Sequence, residues 1–114
     1  MKTLDQITLS NQDRRAVEAA SEILRRQFPV ERVILFGSKA RGDDDPESDI
    51  DLLVLTTRPV SAADKERMTD ALFDLQIERG VVISKLVVPL DDWEHGLYQA
   101  LPIRWQIERE GVAA

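Results

Sequence analysis

The stretch that decides the fold is VILFGSKARGDDDPESDIDLLVL, residues 33–55. Two apolar runs flank a polar loop. Gly37 and Ser38 end the first run, and Asp49 and Asp51 open the second. Short aliphatic, β-branched runs bounded by Gly, Asp and Ser read as strands. The spacing predicts one strand over residues 32–36, stopped by Gly37, and a second over 49–55. The second is apolar on both alternating faces after its two acids, the pattern of a central strand covered on both sides.

Working outward, Ser10 is a good N-cap for a helix over 11–27, with Asp13 at its third position as a short capping box. Val17, Ala20, Leu24 and Phe28 form its apolar stripe, and Pro29 ends it. Ser61 with Asp64 opens a second helix that runs to Arg79, with Met68, Ala71, Leu72 and Leu75 inward and Gly80 as C-cap. Residues 81–88 are a third apolar run. Asp91 or Asp92 caps a short helix through Trp93, and Pro102 opens a last helix ended by Gly111. Strands alternating with helices predict an α/β (α+β) fold: a small mixed sheet with helices packed on it, in one domain over residues 1–114.

Composition narrows the function classes. The chain has 114 residues, 43% apolar and 32% charged, as in an ordinary globular domain. Its net charge of −6 argues against sequence-independent nucleic-acid binding, which needs clustered Lys and Arg. The pairs Arg14-Arg15 and Arg25-Arg26 are interleaved with acids and read as a solvated helix face. No run approaches the roughly 20 apolar residues of a membrane span. MKTLDQITLSNQDRR, residues 1–15, lacks the apolar segment of a secretory signal, and there is no cysteine. A cytoplasmic protein is the expectation.

Residues two apart in a strand point to the same side, so Asp49 and Asp51 project together. Two carboxylates held close repel each other unless a cation or proton intervenes. With oxygen ligands alone, Mg²⁺ or Mn²⁺ is the natural partner. Gly37 allows close backbone approach to a ligand, and Ser38 offers a hydroxyl and an N–H. Lys39 and Arg41 add positive charge. The combination describes a triphosphate cradle facing a metal site. Other motifs fail on detail. Gly37 and Gly42 have the spacing of a P-loop, but Asp43 and Asp44 stand where Lys and Ser or Thr are required. The acidic tract 43–47 lacks the central Gly of an EF-hand loop. His95, the lone histidine, reads as a surface residue.

LFGSKARGDDDPESDIDLLV, residues 35–54, resembles the G-S-x10-D-x-D signature of nucleotidyltransferases related to DNA polymerase β. The chain is similar to their minimal members over nearly its whole length, including LPIRWQIEREGV at residues 101–112. The resemblance implies that Gly37 and Ser38 hold the β,γ-phosphates of a nucleoside triphosphate, ATP in the first place, with Arg41 beside them. It implies that Asp49 and Asp51 bind two Mg²⁺ ions for transfer of a nucleotidyl group to a hydroxyl. It also implies the role of antitoxin to a HEPN-domain toxin, and it leaves homo-oligomer formation open. Trp93, Leu97, Tyr98, Leu101, Ile103, Trp105 and Ile107 are either core or a docking face for such a partner.

Active members of the family place a third carboxylate on the later strand. Here that strand, VVISKLVV, has none, and Ser84 or Lys85 takes the slot; strand parity alone does not say which. Ser84 leaves a neutral ligand. Lys85 brings an ammonium that competes with the metal. Two functions follow, an enzyme and a degenerate module that acts by binding its partner.

Overall fold

In the computed structural model, which describes residues 1–114, the chain runs β1 (Lys2–Thr3), α1 (Asn11–Gln27), β2 (Val30–Phe36), α2 (Ser38–Arg41) and β3 (Ile50–Thr56). It continues through α3 (Ala62–Arg79), β4 (Ile83–Pro89), α4 (Leu90–His95), α5 (Pro102–Glu110) and β5 (Val112–Ala113). The sheet order is β1-β5-β2-β3-β4. β3 pairs antiparallel with β2 and parallel with β4, so the sheet is mixed, as expected. It has five strands rather than three. The two added strands lie at the chain ends and hold two residues each, too few to carry any periodicity.

The sheet has a helical layer on each face because β3 alternates apolar residues on both. Leu52 and Val54 join Val33, Leu35 and the inner faces of α1 and α3 in the larger core. Leu53 and Leu55 join Ile34, Val88, Trp93 and Ile107 under α4 and α5. β3 is therefore the central, doubly covered strand that its sequence predicts.

The caps follow from residue chemistry. Ser10 Oγ accepts from the Asp13 N–H at 3.0 Å, and Ser61 Oγ from the Asp64 N–H at 3.0 Å. Gly80 closes α3 with φ of +68°, the left-handed geometry that favours glycine. Two expectations are corrected. β4 covers 83–89 rather than 81–88, and α4 is capped by Pro89, with Asp91 and Asp92 inside its first turn. The arginines of α1 do more than face solvent. Arg14 reaches the Leu4 and Ile7 carbonyls, and Arg25 Nη2 donates to the Ala114 carbonyl at 3.1 Å. One helix thus holds both chain ends. No helix is long and apolar enough to cross a membrane.

Candidate functional site

Phe36 sits opposite Asp51 in the β2–β3 ladder, so the residue after Phe36 meets the start of β3. That residue is Gly37, with φ of 79° and ψ of −161°, a region essentially closed to other residues. A Cβ on Gly37 would lie 2.3 Å from Asp51 Oδ2. Backbone and carboxylate are in direct contact only because the position lacks a side chain. From Gly37 the chain makes the single turn of α2, closed by Gly42 at φ of 82°. This turn carries Ser38 and Arg41 beside Asp51.

Lys39 leaves the site. Its side chain is 2% exposed and its Nζ lies 2.8 Å from Asp13 and 3.1 Å from Asp44. Burial works against the charge, but the hydrogen bonds to Asp13 and Asp44 outweigh it and raise the Lys39 pKa. The expected extra positive charge for a ligand is instead a bolt between α2, the N-terminus of α1 and the polar loop.

Asp51 is half-buried, and Asp49 is exposed one residue before β3 begins. Burial, and then the Asp49 charge, push the Asp51 carboxyl above its usual range; Arg41 pulls the other way. Neither Asp49 nor Asp51 has an internal hydrogen bond or ion pair, and no third acid, His or Cys joins them in a metal-holding cluster. Two unpaired carboxylates, the Asp51 one with its proton affinity raised, fit a hard cation that takes one or two carboxylates and completes its shell with water and phosphate oxygens.

The register resolves the third-acid slot. Ser84 lies directly opposite Asp51 on β4 and is exposed. Lys85 lies opposite Leu52, on the other face, where its Nζ donates to Thr69 Oγ1 at 2.7 Å and burial lowers its pKa. The slot beside the carboxylates is therefore filled by a hydroxyl, and the ammonium is not a competitor. His95 is exposed and paired with Asp91 at 3.3 Å.

One residue of the site is absent from the sequence reading. Glu110, the last residue of α5, reaches back over α2. Its Oε1 accepts from the Gly37 N–H at 3.1 Å and from Gln106 Nε2 at 2.9 Å. Arg41 Nη1 donates to Oε2 at 3.1 Å, while Arg41 Nε is held by Asp43 at 3.0 Å. A pairing across 73 residues leaves no local trace.

The apolar C-terminal set divides. Trp93 and Ile107 are core, with Tyr98 and Ile103 packed against them. Leu97 and Trp105 are 74% and 70% exposed and remain available for docking.

Comparison with known proteins agrees with this fold. The model of the nucleotidyltransferase domain family matches residues 17–110. Two candidate protein adenylyltransferases of Methanocaldococcus jannaschii are 36% and 41% identical over 58 residues. Those matches cover 51% of this chain and only 59% and 53% of the relatives. A solved candidate minimal nucleotidyltransferase is 31% identical, with a TM-score of 0.61 over 93% of this chain and 98% of its own. A toxin–antitoxin structure with AMP-PNP shares the fold alone, at 16% identity and a TM-score of 0.57 over 91% of this chain and 72% of its own.

Proposed function

This chain belongs to the nucleotidyltransferase domain family, and we propose that it transfers a nucleotidyl group, AMP from ATP, to a hydroxyl of a partner protein or small acceptor. The observation that carries the reading is the close approach of the Gly37 backbone to the Asp51 carboxylate, which brings the Gly-Ser turn at the end of β2 against the Asp49–Asp51 pair at the start of β3. The adenylyltransferase relatives support AMP as the group transferred.

In this reading Gly37, Ser38 and Arg41 hold the triphosphate, and Asp49 and Asp51 hold Mg²⁺. The cation supplies charge stabilisation to the attacking and leaving oxygens. The acceptor oxygen bonds to the α-phosphorus, the bond to the bridging oxygen breaks, and pyrophosphate leaves. The hydroxyl proton finds no carboxylate on β4, because Ser84 stands there, and passes to solvent. A HEPN-domain toxin as the acceptor, with this chain as its antitoxin, rests on the family resemblance; exposed Leu97 and Trp105 are the side chains that would meet it.

Incubation with labelled nucleotides, Mg²⁺ and a HEPN-domain partner tests this. A partner mass increased by one nucleotidyl group is the expected result. Unchanged masses with every nucleotide, while the chain stays folded, would overturn it.

Ser84 favours a second reading, a binding module without chemistry. That reading requires Asp49→Ala with Asp51→Ala to leave partner neutralisation intact.

A further inference from the structure

Glu110 is a charged group in an unfavourable place. It ends α5, where the helix dipole disfavours an anion, and its side chain is only 10% exposed. Burial pushes its pKa up, but hydrogen bonds from Gln106, Arg41 and the Gly37 N–H outweigh this and hold it below the usual carboxylate range. The carboxylate is therefore ionised, and three donors keep it so.

Two of those donors, the Gly37 N–H and the Arg41 guanidinium, are the groups assigned above to the triphosphate. Glu110 already accepts the one Gly37 N–H, and with Arg41 Nε on Asp43 and Nη1 on Glu110 only the Nη2 donors of Arg41 are left for a second anion. We infer that Glu110 is an internal stand-in for phosphate, which fills the seat formed by Gly37 and Arg41 until a polyphosphate chain displaces it. This rests on the nucleotide reading of the site.

The arrangement makes Glu110 a specificity-determining residue. An entering anion must outcompete a carboxylate already held by charge-assisted bonds. A triphosphate brings several charges at adjacent positions; a monophosphate brings one group of similar reach to the carboxylate it must replace. The displaced side chain has somewhere to go. An open cleft of about 540 Å³ adjoins the seat, lined by Lys2, Ala40, Arg41, Arg109 and Glu110 among others. Lys2 and Arg109 supply cations to the lining of that cleft, where Glu108 is the one other anion.

The test is titration calorimetry of the full chain, Glu110→Gln and Glu110→Ala with inorganic tripolyphosphate, MgATP and AMP, with melting curves as the fold control. Both variants are expected to bind tripolyphosphate and MgATP about three- to tenfold tighter than the parent, with AMP unchanged. Glu110→Gln keeps the side chain's size and an oxygen for the Gly37 N–H, so it reports the charge alone. Weaker binding by a Glu110→Gln protein that melts normally would overturn the inference, because Glu110 would then organise the seat rather than occupy it. Equal MgATP binding by all three proteins overturns it too, and leaves the nucleotide reading standing. Tighter tripolyphosphate binding with no MgATP binding in any protein supports the internal stand-in and overturns the nucleotide reading instead.

Discussion

Gly37 and Asp51 are in such close register that a methyl group on Gly37 would lie 2.3 Å from the Asp51 carboxylate oxygen. Gly37→Ala therefore forces two changes. The backbone must leave φ of 79°, and the Asp51 side chain must swing away. The expected cost is about 1–3 kcal/mol of stability. Denaturant titration checks it, and Mn²⁺ binding followed by electron paramagnetic resonance should fall in parallel.

Asp51→Asn has the opposite effect on stability. Burial and the Asp49 charge raise the native pKa of Asp51 above its ordinary 3.8. The folded protein then keeps a proton that the unfolded chain has already lost, so stability falls as pH rises from 3.8 through the raised value. Asparagine removes that fall. At neutral pH without divalent cations, Asp51→Asn should be more stable by roughly 1 kcal/mol or less. Thermal melts at stepped pH check this, and added Mg²⁺ should stabilise the parent and not the variant.

Lys39→Met should lower stability by roughly 2–4 kcal/mol, because it strands Asp13 and Asp44 without their shared cation. The pKa of Lys39 is raised in the folded state. Its contribution is complete below the unfolded pKa of about 10.4 and is lost as pH climbs through the native value. Urea midpoints measured from neutral to strongly alkaline pH should converge for parent and variant.

Ser84→Asp puts a carboxylate opposite Asp51 on the adjacent strand. If the chain transfers nucleotides, the added acid should raise turnover by at least about tenfold and tighten Mn²⁺ binding. Ser84→Asn, which has similar size and no charge, is the control. Initial rates at saturating nucleotide measure the difference.

The central pairing was legible because its signals are local. Gly37, Ser38, Asp49 and Asp51 mark the ends of two apolar runs, and β3 shows its double burial in its own residues. The helix caps at Ser10 and Ser61 were readable for the same reason. Contacts between distant segments were not. Parity left Ser84 and Lys85 open, and only the β3–β4 register separates them. Lys39 looks like a ligand-facing cation in sequence, since nothing near it announces Asp13. Glu110 could not be placed at all, because its partners are Gly37 and Arg41 on another element.

Only Gly111 separates Glu110 from β5, and Val112 is buried between β1 and β2 at the sheet's edge. The site and that edge are thus one short piece of backbone. Any displacement of the Glu110 side chain that moves its Cα loads the ladder through Val112 and Ala113, and through Ala114 the Arg25 bond. Amide hydrogen exchange at the sheet's edge should therefore respond to any rearrangement of the Gly37–Arg41–Glu110 cluster. It offers a clock on that cluster that needs neither substrate turnover nor a partner.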